Sequence, residues 1–250
     1  MSRNSSTNAR RNKRDQRDYA VANQPDPRGI NTVSSSKGSR NLTNDLKPIA
    51  TKNFAQAQYL QSITDNQITF GTGSAGTGKT FIAASFAAQE LFYKRIDKII
   101  LTRPAVTAEE DLGFLPGDLM YKYAPYLIPF KEIFERTLGK SFYEYALKES
   151  IIEPCPIGYL RGRTFDNCIL LIDEAQNVTP SQMKLILSRV GENCKIIVSG
   201  DTGQMDIEGT SGLSDAIKRL SRIPGVDTVN FLPQDIVRSK FCKAVIMAYE

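Results

Sequence analysis

The sequence predicts an α/β protein built on a mostly parallel, doubly wound sheet with helices on both faces. Short apolar runs alternate with helical patterns, one run leads into a glycine-rich phosphate loop, and another ends in two carboxylates. Strand candidates fall at 67–72, 98–102, 168–172, 195–199 and 228–232. At 250 residues, with 41% hydrophobic and 24% charged, the chain has enough apolar side chains for one such domain.

The stretch 1–47 is rich in Ser, Asn, Arg and Lys with no sustained period, which predicts a disordered basic tail. It holds ten of the 32 basic residues and four of the 27 acidic ones, so the remainder, 48–250, is close to neutral. Arg10, Arg11, Lys13, Arg14 and Arg17 suit either nucleic-acid phosphates or simple solubilisation. The first strand candidate runs into Gly73-Ser74-Ala75-Gly76-Thr77-Gly78-Lys79-Thr80, and a helix rich in Ala and Phe follows. Between 108 and 163 the alternation lapses into Pro-interrupted helical pieces at 127–138 and 141–148, an expected insertion or subdomain. After the strand at 168–172, Thr179-Pro180-Ser181-Gln182 gives an N-cap, a Pro at the first helical position and a capping box, and Gly191 closes that helix.

The residue types of the loop follow from its chemistry. Glycines at 73, 76 and 78 let successive backbone N–H groups turn toward an anion, so Ser74, Ala75, Gly76, Thr77 and Gly78 form a cradle. Lys79 is expected to reach the β and γ phosphates and the Thr80 hydroxyl to ligate Mg2+. Ile169-Leu170-Leu171-Ile172-Asp173-Glu174 reads as a strand buried on both faces whose carboxyl end lies beside the loop. Asp173 is then the expected partner of Mg2+, and Glu174 the base for an attacking water. A kinase does not need that glutamate. Gln204, after the apolar run at 195–199, is placed to sense the γ phosphate or position the water, and Arg103, after the run at 98–102, to meet a phosphate or nucleic acid. Arg161, Arg163 and Arg238 each stand near a loop or helix start and are candidate arginine fingers.

Other chemistries drop out. With no histidine, zinc–histidine sites and histidine-based triads are excluded. Cys155, Cys168, Cys194 and Cys242 lack metal-site spacing and predict reduced thiols in a cytoplasmic protein. No apolar run approaches the length of a membrane span, and the polar N-terminus lacks a signal-peptide core.

In combination, residues 73–80, Leu-Thr-Arg-Pro-Ala-Val at 101–106, Gly-Phe-Leu-Pro-Gly-Asp at 113–118, Arg-Gly-Arg-Thr at 161–164, Asp-Glu-Ala-Gln-Asn at 173–177, Gly-Asp-x-x-Gln-x-Asp at 200–206 and Asp-Ile-Val-Arg at 235–238 resemble the PhoH-like ATPases. The resemblance covers about 53–250. It implies a RecA-like P-loop core related to superfamily 1 helicases, ATP hydrolysis, and RNA unwinding in some longer members. It also implies that Gln58 reads adenine. Ser239 stands where the family often has His, and Gly203 where it often has Thr. Longer relatives carry a ribonuclease-type PIN domain, for which 250 residues leave no room, so nuclease activity is not expected.

The expected function is a Mg2+-dependent ATPase coupled to movement on, or remodelling of, RNA or single-stranded DNA. Because helicases with two motor cores supply the arginine finger from the second core, a single core predicts Arg238 acting on the ATP of a neighbouring subunit in a ring, plausibly a hexamer, with Arg161 and Arg163 as competitors. A nucleotide-binding scaffold without motor activity, and a P-loop kinase, are the alternatives.

Overall fold

The computed structural model describes residues 46–104, 123, 127–207 and 209–249. The tail reading therefore lies outside the described residues up to position 45, as does the part of the insertion reading at 108–122 and 124–126. Strands β1 (Ile68–Gly73), β2 (Lys98–Thr102), β3 (Ile152–Pro154), β4 (Cys168–Ile172), β5 (Cys194–Gly200) and β6 (Val226–Phe231) form one sheet in the order β3-β2-β4-β5-β1-β6. Every pairing is parallel. The five strands expected from sequence are all present, with ends displaced by no more than two residues. The additional strand, β3, is a three-residue edge ending at Pro154, where the ring needs no ladder hydrogen bond.

Side-chain alternation along the strands divides the apolar interior into two layers. Ile99, Leu101, Ile169, Leu171 and Ile197 pack under α1 (Phe54–Asp65), α2 (Lys79–Phe92), α3 (Ile128–Leu138) and α4 (Lys140–Lys148). Ile100, Leu170, Ile172, Ile196 and Val198 face the other way, under α5 (Pro180–Leu187) and α6 (Gly212–Leu220). This is the expected doubly wound α/β architecture. Helix α2 is buried almost all round because α3 lies over the side that the sheet leaves free. A final helix, α7 (Lys240–Tyr249), follows β6.

The start of α1 is fixed by Asn53, whose side chain accepts from the Gln56 backbone N–H at 2.9 Å. Its buried face runs through Gln56, Tyr59 and Ile63. Tyr59 packs edge-on against Phe231, with ring centroids 5.4 Å apart, and bonds Ser199 at 3.2 Å. At the other end Lys195 on β5 closes the helix, donating to the carbonyls of Ile63 (2.6 Å), Thr64 (3.2 Å) and Asn66. Burial lowers its ammonium pKa, so the three carbonyls offset a real desolvation cost.

At the carboxyl end of β1 the chain must turn at once into the phosphate loop while still pressed against β6. Gly73, at φ 107°, makes this possible: a Cβ there would stand 1.9 Å from the Phe231 carbonyl oxygen. Across the sheet α5 begins with the expected capping box between Thr179 and Gln182. Among the described residues no helix is long and apolar enough to cross a membrane.

Replacing Lys195 with methionine strips three helix-end carbonyls of a charged donor. K195M is expected to lower stability by about 2 kcal/mol, read as a lower urea midpoint at unchanged m-value; an unmoved midpoint contradicts the capping role.

Candidate nucleotide-binding site

A cleft of about 510 Å³ opens over the carboxyl ends of β1, β2, β4 and β5 and is lined by Lys79, Thr80, Arg103, Asp173, Glu174, Gln204 and Arg238, among others. These seven come from all three thirds of the described sequence. Three cations and the carboxylates of Asp173, Glu174 and Asp201 share this space.

The loop owes its shape to two glycines in the left-handed region, Gly76 (φ 77°) and Gly78 (φ 88°). Both also admit distant residues. A Cβ on Gly78 would stand 2.6 Å from Nε2 of Gln56, and one on Gly76 3.1 Å from Nε of Arg238. Gln56 is 2% exposed, donates to the Thr77 carbonyl at 2.8 Å and accepts from the Lys52 N–H, so it braces the loop from beneath. Thr77 and Ser74 are buried, with the Thr77 hydroxyl donating to the Ser74 carbonyl at 3.0 Å. Ala75, Gly76 and Gly78 line the cleft.

Lys79 donates to the carbonyls of Gly73 (2.5 Å) and Ser74 (2.8 Å) and lies 5.8 Å from the Phe231 ring centroid. Burial pushes its pKa down, and Asp201, Asp173 and Glu174 work against that shift. The Thr80 hydroxyl donates to Oδ1 of Asp173 at 2.9 Å, which brings the loop and the acidic strand tip into direct contact. Burial, then the charge of Glu174, raises the Asp173 carboxyl to about 6, while Arg103 and Thr80 pull it down. A buried carboxylate and a hydroxyl are hard oxygen donors. No group of three or more acidic, His or Cys side chains able to cage a metal occurs among the described residues. This set fits Mg2+, which is held through few protein oxygens and completes its octahedron with water and phosphate.

Glu174 turns at a left-handed backbone position, φ 53°. Arg103 meets its Oε1 at 2.9 Å and Gln176 its Oε2 at 2.8 Å. Gln176, 2% exposed, also accepts from the Asp201 N–H at 3.0 Å, tying the tips of β4 and β5 together. The Asp201 carboxylate accepts from the Gly203 N–H at 3.0 Å and so shapes the turn that carries Gln204 to the cleft.

One sequence expectation requires correction, and the candidate arginine fingers separate. Gln58 lies on the exposed face of α1 and does not line the cleft, because the helix period turns Gln56 inward with Tyr59 and Ile63. Arg163 forms a two-bond ion pair with Glu153 at 2.6 and 2.9 Å and covers the Phe165 ring, while Arg161 is exposed; neither lines the cleft. Arg238, the expected finger, lies over Gly76 of its own chain, with the Val237 N–H bonded to the Gly76 carbonyl at 3.1 Å. Sequence reasoning passed over Gln176 and Asp201 as site residues. The spacing of Gln56 with Tyr59 and Ile63 was the available signal for the buried glutamine.

The raised Asp173 carboxyl has a signed consequence for stability. The folded protein holds that proton more tightly than the unfolded chain, so stability is greatest below about pH 4 for this group and is lost as pH rises through 6. Without divalent metal, D173N is expected to stabilise the protein at pH 7.5 by up to about 3 kcal/mol, a gain that vanishes near pH 4. Thermal unfolding across this pH range checks it.

Residues 48–250 match the model of the family described as PhoH-like protein. The chain is 46% identical to Protein PhoH of Escherichia coli strain K12 over 225 residues, covering 88% of this chain and 62% of that protein. It is 43% identical to the PhoH-like protein of Bacillus subtilis strain 168, covering 82% and 65%. The chain thus spans less than two thirds of the length of these relatives. Pif1 helicase from Candida albicans is a solved structure similar over 76% of this chain and 41% of its own, at 18% identity and a TM-score of 0.39. With a family match that begins ahead of the phosphate loop and runs to residue 250, the chain belongs to the PhoH-like family.

Proposed function

We propose that the protein is a Mg2+-dependent ATPase that couples hydrolysis to remodelling of RNA or single-stranded DNA. The observation that carries the ATPase half is the 2.9 Å bond between Thr80 and Asp173, which joins the phosphate cradle to a buried carboxylate with Glu174 next in the chain. In this reading Lys79 leaves its loop carbonyls for the β and γ phosphates, and Thr80 and Asp173 hold Mg2+. When bound, the metal neutralises charge shared by the two terminal phosphates. Glu174 takes the proton of the attacking water, and Gln204 orients that water or senses the γ phosphate.

Arg238 supplies the positive group for the transition state from within the same chain. It has no hydrogen-bond or ion-pair partner among the described residues, unlike Lys79 and Arg103. A finger in cis removes the reason for requiring a ring, and the proposal needs no neighbouring subunit. Phe81, Pro129, Ile133 and Val237 give the cleft an apolar flank suited to a nucleobase.

The nucleic-acid half draws on the basic stretch at 1–47, which can bind phosphodiesters by counterion release. Four unpaired cysteines, three of them buried, suit a reducing, cytoplasmic location.

ATP turnover measured with and without RNA or single-stranded DNA tests the proposal. K79A is expected to abolish MgATP binding, and E174Q to retain it while turnover falls at least about 100-fold. Tight binding with negligible turnover by the unmodified protein favours the scaffold alternative, and phosphate transfer to an acceptor other than water the kinase. R238A is expected to reduce kcat by about 10² to 10³ with little change in nucleotide affinity. Mixing R238A with K79A protein restores nothing if the finger acts in cis; recovered activity would place it between subunits.

A further inference from the structure

Arg103 and Arg238 line the same cleft but stand in different situations. Arg238 is exposed over the loop, whereas the Arg103 guanidinium is committed to the Glu174 carboxylate at 2.9 Å. The carboxylate is held from both sides, by Arg103 on Oε1 and by the buried Gln176 amide on Oε2. The lone pairs facing those donors are occupied. A water proton can therefore be accepted only on a lone pair the two bonds leave open, or after one bond breaks.

The two holding groups are anchored differently. Gln176 is fixed by its second bond, from the Asp201 N–H. Arg103 is fixed through its backbone: the Tyr123 hydroxyl accepts from the Arg103 N–H at 2.6 Å and donates to the Arg103 carbonyl at 2.9 Å. Tyr123 is 1% exposed and burial pushes its phenol up to about 12, so the hydroxyl keeps its proton across the working pH range. The Arg103 side chain itself is 23% exposed and that of Glu174 40%. A clasped backbone with a partly solvated guanidinium is suited to a side chain that swings about a fixed Cα.

Resting on the ATPase reading, we infer that Arg103 is a positioning residue, a latch that holds the base Glu174 until a phosphate oxygen draws the guanidinium away. Phosphate is the right competitor. Its tetrahedral oxygens offer a two-oxygen edge that a guanidinium meets bidentately, as it meets a carboxylate, and it has additional acceptors. Two sources share that chemistry, the γ phosphate of the nucleotide in the cleft and a backbone phosphate of a polynucleotide crossing the end of β2. Release frees one side of Glu174, and Gln176 keeps the other side aimed.

The test is steady-state ATP turnover by the full chain, with kcat and KM determined separately, for the unmodified protein, R103A, R103K, Y123F and E174Q, each with and without poly(U) or oligo(dT). Loss of a partly exposed ion pair corresponds to a factor of about 2 to 5. R103A is expected to raise kcat without polynucleotide by that factor, R103K to restore the low value, and Y123F to shift kcat in the same direction as R103A by less. Loss of polynucleotide stimulation in R103A then identifies the polynucleotide phosphate as the releasing group, and a raised KM for ATP with stimulation intact identifies the γ phosphate. If kcat of both R103A and Y123F falls or stays unchanged, the latch is overturned while the hydrolysis reading stands. Turnover that survives E174Q removes Glu174 as the base and the latch with it, whereas negligible turnover by the unmodified protein overturns the hydrolysis reading itself.

Discussion

Asp173 is the constraint around which the site is organised. Its carboxylate is buried at the tip of a central strand, beside a second carboxylate, where water cannot stabilise its charge. The surrounding groups all bear on that problem. Thr80 donates to it, Arg103 neutralises the adjacent Glu174, and Lys79 stands close enough for all three acidic side chains to act on its proton affinity. Filling the space with apolar side chains would be more stable and would leave no place for a divalent cation. An ionised Asp173 carries a desolvation cost, which a cation bound there, as proposed, would offset.

The sheet topology makes this placement possible. Strand β5 separates β1 from β4, so the loop and the acidic tip approach each other across the crevice above the sheet instead of along one ladder. The same spacing leaves room for Asp201 and Gln204 at the end of β5. Gln176 spans the gap below them, so the acidic tip and the Gln204 turn share one rigid connection.

Much of this was legible in the amino-acid sequence because its physics is local. The glycine spacing, the continuous apolar run before Asp173, and the capping box at Thr179 each depend on neighbours within a few residues. What escaped notice depends on contacts made across long separations. Gln56 and Gln58 are indistinguishable as residue types, and only the side of α1 that meets the loop separates them. Arg163 and Arg238 likewise look equivalent until Glu153 is found holding one and Gly76 lies beneath the other. The short strand β3 was missed because a three-residue edge ending in proline carries almost no periodic signal. Helices α6 and α7 were not singled out from the sequence, although α6 carries Leu213, Ala216, Ile217 and Leu220 at helical spacing behind the Ser211 cap and packs on α5.

The pairing of β1 with β5 and β6 also bears on how the molecule comes into being. A ribosome releases the glycine loop early, yet the strand leading into it gains its first neighbour only after residue 194 and its second after 226, and Arg238 reaches Gly76 later still. Closing loops of that length is slow, and a half-made chain exposes the apolar edges of β1 throughout. The cleft is thereby completed only when the last strand docks, so nascent fragments lack its full lining.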